Sequence, residues 1–262
     1  MVDSTLRVSP IRAFSDNYIW LIRGQRDASS VAVVDPGDAA PVLRALHEQN
    51  LKLAAILITH HHPDHIGGVT QLVEKFSPAV FGPASETIPG SPTKLRDGDS
   101  VDLKEMGLRF SVLDVPGHTA GHIAYVGHGA LFCGDTLFSA GCGRLFEGTA
   151  EQMHRSLAKL SALPPNTLVY CTHEYTLSNL KFAAAVEPSN LDLQAYTKRC
   201  RELRDQDRET LPSNIGLEHS VNPFLRTSCE SVKRAAEAHA GRALQSDTEV
   251  FATVRAWKDG FK

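Results

Sequence analysis

The sequence predicts an α+β fold, with a mixed α/β domain over residues 1–173 and a smaller, mainly helical domain over residues 174–262. Three observations predict it. Short β-prone runs alternate with turns and amphipathic segments through the first two-thirds of the chain. After about residue 174 the strand-like runs stop, and Leu, Gln, Lys, Arg and Glu dominate. No internal repeat, low-complexity tract or Gly/Ser linker separates the parts, so the helical part is expected to pack onto the first.

In chain order, Ile19–Ile22 and Val31–Val34 read as short strands, and Asp35-Pro36-Gly37-Asp38 stops the second. Pro41–Asn50 carries Val42, Leu43 and Leu46 among charged neighbours and reads as an amphipathic helix. Leu53–Ile58 is a buried strand by composition and runs directly into a histidine cluster. Ile66–Phe76 reads as a helix with Asp64 near its start as a cap. Leu108–Val115 alternates as a strand and ends at Pro116-Gly117-His118. Ile123–Val126 and Ala130–Cys133 follow, the latter ending at Gly134-Asp135. Thr167–Cys171 ends at Thr172-His173. In the second part Leu191–Thr210, Ser231–Ala240 and Asp247–Trp257 read as helices.

Composition narrows the function classes. The 262 residues are 42% hydrophobic and 22% charged, with net charge −3, so no broad positive field favours nucleic acid or an anionic membrane. Residues 1–7 lack a basic segment followed by an apolar one, so no secretory signal is expected, and Leu53–Ile58 is far too short to span a bilayer. The five cysteines form no CxxC pair, which suits reduced thiols in the cytoplasm.

The decisive feature is Thr59-His60-His61-His62-Pro63-Asp64-His65. Four of twelve histidines lie within it. In an extended segment side chains alternate sides, so His60 and His62 point together and His61 points away. Two imidazoles two residues apart can hold one divalent ion. Pro63 breaks the run, and Asp64 and His65 follow in the turn, placed for a second ion. The further ligands are expected where β-runs end, at His118, Asp135 and His173, because a sheet holds such residues rigidly at a cleft. The expected assignment is His60, His62 and His118 on one metal, Asp64, His65 and His173 on the other, and Asp135 bridging with its two oxygens. A hydrophobic core is a poor place for so many polar groups. A purely structural zinc site would favour one ion closed by four cysteines or histidines. Isolated His47, His128, His154, His219 and His239 are read as structural or solvated, and His122 as a neighbour of the ligands.

THHHPDH resembles the signature of the metallo-β-lactamase superfamily. Pro116–His122, Cys133–Phe138 with Gly141–Thr149, and Thr172–Thr176 are similar to the glyoxalase II, or hydroxyacylglutathione hydrolase, family, as are Asn179–Ala183 and Asn222–Arg226. The resemblance implies a four-layer αββα sandwich carrying two divalent metals, Zn first with Fe or Mn as alternatives, and a carboxy-terminal helical domain that binds glutathione. It implies hydrolysis of a glutathione thioester, usually S-D-lactoylglutathione. Metals lower the pKa of bound water from about 16 to about 7, and Asp64 would orient the bridging hydroxide. A monomer without nucleic-acid or membrane partners is expected.

The resemblance also assigns substrate contacts to Arg144, Phe146, Tyr175, Arg255 and Lys258, with Lys181 weaker. Arg255 and Lys258 are three apart on one helical face, so joint contact with one substrate carboxylate is expected. The pattern is Lys where Arg144 stands and Tyr where Phe146 stands. Arg144 keeps the charge, whereas Phe146 loses a hydroxyl donor. Asp35 is read either as a brace for the histidine loop or as a turn former. A lactonase, a β-lactamase and a one-iron persulfide dioxygenase are the competing enzymes. A non-catalytic metal-binding or nucleic-acid module is the competitor from another class.

Overall fold

The computed structural model describes residues 6–261; residues 1–5, part of the segment read for a secretory signal, and Lys262 lie outside the described residues. The chain packs as two compact units. One runs to Asp114 and includes Gly121–Gly134; the other is Val115–Ala120 with Asp135 onward.

Among the described residues the first unit holds ten strands and three helices: β1 (Val8–Ala13), β2 (Asn17–Arg23), β3 (Ser30–Val34), α1 (Ala39–Glu48), β4 (Lys52–Leu57), α2 (Pro63–Ile66), α3 (Val69–Phe76), β5 (Ala79–Pro83), β6 (Thr93–Leu95), β7 (Ser100–Leu103), β8 (Leu108–Asp114), β9 (Ile123–Gly127) and β10 (Ala130–Gly134). Strands β1 to β6 form one sheet in chain order. β1, β2 and β3 pair antiparallel, and β3 to β6 pair parallel. Parallel neighbours need a crossover, and α1 supplies it between β3 and β4. Ile19, Leu21, Val31, Val33 and Ile56 pack with Val42 and Leu46 of α1 and with Val69 and Leu72 of α3. Residues 17–22 of β2 are all buried, which explains its unbroken apolar run. Strands β7 to β10 follow as an antiparallel meander. Tyr125 Oη on β9 donates to Ile58 O at 2.8 Å and ties the meander to the end of β4.

The segment expected as one helix over Ile66–Phe76 breaks at Gly67-Gly68 into α2 and α3. The cause is backbone crowding. A Cβ on Gly67 would lie 2.5 Å from Gly37 O, and one on Gly68 would lie 2.5 Å from Ala39 N. Asp64 is not a cap. It lies in the first turn of α2, whose N-cap is His62.

The second unit holds β11 (Leu137–Phe138), β12 (Gly141–Cys142), α4 (Ala150–Ser161), β13 (Leu168–Cys171), α5 (Thr176–Val186), α6 (Leu191–Asp205), β14 (Ser213–Asn214), α7 (Ile215–Val221), α8 (Glu230–Ala240) and α9 (Asp247–Gly260). Thr149 and Gln152 form a capping box on α4, and Asn190, Asn214 and Ser246 cap α6, α7 and α9. Helix α6 stops short of Thr210 because Asp207 takes a left-handed φ of 53°. Leu180, Ala183, Leu193, Tyr196, Cys200 and Val221 form a helical core with Ala140. Helices α5 and α7 hold the β11–β12 turn by its backbone. Ala140 N donates to buried Glu218 at 2.8 Å, Asn179 Nδ2 to Ser139 O at 3.1 Å, and Asn222 Nδ2 to Gly141 O at 2.9 Å. Those buried amides and carbonyls would otherwise lack partners, at roughly 1–3 kcal/mol each.

Candidate metal centre

The first unit places Asp35 and Thr59-His60 just beyond the carboxyl ends of adjacent parallel strands β3 and β4, where sheets of this kind present ligand sites. Asp35 is 1% exposed and its carboxylate organises the cluster. It accepts from Thr59 N at 2.8 Å, from Thr59 Oγ1 at 2.7 Å and from His65 Nδ1 at 3.0 Å. Thr59 gives its only proton to Asp35, so its oxygen accepts from His60 Nδ1 at 3.0 Å. These bonds assign protons to Nδ1 of His60 and His65 and lone pairs to both Nε2 atoms. His60 Nε2 converges with His62 Nδ1 at 3.1 Å. His65 Nε2 lies 3.6 Å from Asp64 Oδ2, and Asn17 Nδ2 holds that same oxygen at 3.0 Å. Asp35, His60 and His65 all offer ligand atoms within 4.8 Å, yet the hydrogen bonds make Asp35 a brace. Its backbone also forms the turn, since Gly37 N donates to Asp35 O at 2.9 Å. His61 turns to Glu86, with Nδ1 3.0 Å from Oε2. His122 is fully buried and stacks on His60, ring centroids 4.5 Å apart.

The second unit brings together His118, Asp135 and His173, exposed by only 4%, 6% and 5%. His118 Nδ1 donates to Arg144 O at 2.8 Å, which leaves the Nε2 lone pair facing Asp135 Oδ2 at 3.5 Å. His173 Nε2 lies 3.3 Å from the same oxygen. A Cβ on Gly143 would meet the backbone oxygen of Asp135 at 1.9 Å, so only glycine fits beside that carbonyl. Lone pairs of imidazole and carboxylate repel each other unless a proton or cation lies between them. These imidazole nitrogens and carboxylate oxygens form a donor set for Zn, Fe or Mn, so the residues present fit divalent metal.

Of the expected substrate residues, Phe146 is 61% exposed and edges onto His118 at 5.2 Å. Tyr175 is 38% exposed and stacks on His173 at 4.6 Å. Arg144 is exposed and its Nε pairs with Asp259 Oδ1 at 3.2 Å. Lys258 Nζ donates to Ser178 O at 3.3 Å and lies over Phe182 at 5.3 Å. Burial, and then the neighbouring Arg255 charge, push its ammonium down to about 8. Arg255 is buried. Its NH1 donates to Cys142 O at 2.9 Å and its NH2 to Asp259 Oδ1 at 3.0 Å, over the ring of Phe224. The carboxylate on Arg255 is thus the protein's own.

Two family models together match residues 13–261 without a gap between them. Residues 13–173 match the metallo-beta-lactamase superfamily, and residues 174–261 match the hydroxyacylglutathione hydrolase C-terminus. The chain belongs to the hydroxyacylglutathione hydrolase family. The hydroxyacylglutathione hydrolase of Nitrosomonas eutropha is 51% identical over 97% of this chain and 99% of its own length. That of Pseudomonas paraeruginosa is 56% identical over 98% of this chain and 100% of its own. Among solved structures, TTHA1623 in a di-iron-bound form is 26% identical, with TM-score 0.59, covering 83% of this chain and 100% of that one. The metallo-β-lactamase fold with a helical carboxy-terminal part is therefore the fold of this hydroxyacylglutathione hydrolase family member. Sequence reading assigned no role to Thr59, Asn17 and Asp259, which hold the expected site residues His60, Asp64 and Arg144, nor to Glu86, which holds His61 away from them. Only Asp259 carries a local signal, four residues after Arg255 on one helix.

Proposed function

We propose that the chain hydrolyses S-(2-hydroxyacyl)glutathione thioesters, with S-D-lactoylglutathione cleaved to D-lactate and glutathione in methylglyoxal detoxification. The observation that carries this is the match of both family models from residue 13 to residue 261. Residues 1–173 supply the metal ligands, and residues 174–262 supply most of the glutathione contacts. His60, His62 and His118 would hold one divalent ion, and Asp64, His65 and His173 the other. Asp135, already facing His118 and His173 Nε2, would serve both. Zinc is the expected metal, with iron or manganese as alternatives.

When bound, such ions make water a nucleophile near neutral pH and polarise the thioester carbonyl. The chain supplies the orientation. Asp35 and Thr59 keep the lone pairs of His60 and His65 on the ligand side. Asn17 holds Asp64 Oδ2, and Asp64 would accept a hydrogen bond from the attacking water. No strong acid is required, because the departing thiol has a pKa near 8.5. Tyr175, Phe146, Arg144 and Lys258 would hold the glutathione moiety, and Arg255 would act beside them. Among the described residues no helix is long and apolar enough to cross a membrane. A cytoplasmic monomer is the form proposed. The test is an assay of purified protein of measured metal content, with lactoylglutathione and a simple lactone in parallel. Thioester hydrolysis without lactone hydrolysis is expected. Absence of thioester hydrolysis in fully metallated protein rejects the proposal.

A further inference from the structure

Three cations were expected to contact the substrate, and within the second unit two of them, Arg144 and Arg255, already hold a carboxylate. Asp259 Oδ1 accepts from Arg144 Nε at 3.2 Å and from Arg255 NH2 at 3.0 Å, and Lys258 is its neighbour in the chain. The two arginines differ in freedom. The Arg255 side chain is 6% exposed, while those of Arg144 and Asp259 are 57% and 39% exposed. Arg255 is further fixed by Cys142 O and the Phe224 ring. The Arg144 guanidinium, among the described residues, is held by Asp259 alone. The arrangement is therefore a buried cation, an exposed cation and an exposed carboxylate that joins them. Glutathione carries two carboxylates of the same chemistry.

We propose that Asp259 is a resident carboxylate, and that a glutathione carboxylate must replace it on Arg144 when substrate binds. Asp259 is then a specificity-determining residue that sets affinity by competition. It also discriminates against acyl thioesters that lack the carboxylate, because these cannot release Arg144 from its internal partner. This rests on the reading that Arg144 contacts glutathione.

Asp259→Asn keeps the shape and an accepting oxygen but removes the competing charge. It should lower KM for lactoylglutathione about two- to fivefold, the scale of one exposed ion pair. The effect should fall on KM and not on kcat, and it should fade as added salt screens exposed charges. Kd for free glutathione, measured by calorimetry, should fall by the same factor. For an analogue with its glycine carboxylate amidated, or one with its γ-glutamyl carboxylate amidated, the analogue lacking the displacing group should show no gain. Asp259→Ser serves as a second variant if Asp259→Asn folds poorly. A KM and glutathione Kd that stay unchanged or rise in both variants overturn the proposal. Arg144→Met separates the two levels of argument. If it raises KM while the Asp259 variants do nothing, the competition is wrong and the glutathione contact stands. If Arg144→Met leaves KM and glutathione Kd unchanged, the contact and the competition fall together.

Discussion

Replacing Asp35 with Asn exchanges one oxygen for an NH2 group at the centre of the histidine cluster. The native carboxylate accepts three hydrogen bonds, from Thr59 N, Thr59 Oγ1 and His65 Nδ1. An amide has a single accepting oxygen. With that oxygen toward Thr59 Oγ1 and His65, the NH2 group faces the Thr59 N–H. With the amide turned over, the NH2 group faces His65 Nδ1 and drives its proton to Nε2, the atom 3.6 Å from Asp64 Oδ2. One orientation leaves a buried donor unsatisfied, and the other spoils a ligand nitrogen. A buried unsatisfied group costs roughly 1–3 kcal/mol. At about 2–4 °C per kcal/mol for a chain of this size, Tm should fall by about 2–12 °C. Groups that orient metal-bound histidines contribute about 10–100-fold in metal affinity. The assay is metal per chain after dialysis against a graded series of chelator, with a thermal melt of each sample. Asp35→Asn should lose metal at a chelator concentration at least tenfold lower than the native protein. If it keeps its metal throughout the native range, Asp35 does not control the ligand tautomers and the argument from hydrogen bonds fails.

Other expectations follow from the same geometry. Asp64→Asn should lower turnover and the occupancy of the second metal position together, measured by kinetics and metal analysis; unchanged turnover rejects a role for Asp64. Phe146→Tyr should lower KM for lactoylglutathione by about two- to tenfold, the range of one added hydrogen bond, and an unchanged KM removes this exposed ring from the substrate contacts. Lys258 is held down to about 8, so its ammonium is present below that pH and is lost as pH rises through it. If it holds a substrate carboxylate, KM should rise between about pH 8 and 9, and Lys258→Arg should flatten that rise because arginine stays charged. An identical profile in both proteins excludes Lys258.

How much of this was legible in the sequence depended on whether the signal was local. Leu53–Ile58 and Ala130–Cys133 are unbroken apolar runs, so the strands leading to His60 and Asp135 could be read directly. β1 has mostly half-buried or exposed residues, and β6, β11 and β12 have two or three residues each, so no such run marked them. The break at Gly67-Gly68 was hidden for another reason. Two glycines in an apolar periodic segment lower helix preference only modestly, whereas the deciding contacts come from Gly37 and Ala39, about thirty residues earlier. Asp35 shows the same limit. Its turn role is written in Asp35-Pro36-Gly37, but its brace role needs Thr59 and His65, 24 and 30 residues away. Arg255 and Lys258 were paired by helical spacing without counting Asp259, which satisfies the same rule at four residues.

The two groups of site residues are built differently, and that difference bears on what can change. Asp35, Thr59, His60 and His65 are all at most 1% exposed and their polar atoms are interlocked by hydrogen bonds. A substitution there disturbs several partners at once and costs stability as well as metal. Arg144, Phe146 and Tyr175 are exposed side chains placed by backbone that other residues hold. Glu218, Asn179 and Asn222 fix the β11–β12 turn, Arg255 fixes Cys142, and Arg144 and Phe146 follow within four residues of that strand. Changing the tip of an exposed residue leaves those backbone bonds intact. Lys-to-Arg and Tyr-to-Phe replacements at 144 and 146 are therefore changes the fold can absorb at little cost in stability. Their consequence should appear in KM, while a change at Asp35 should appear in metal content and Tm.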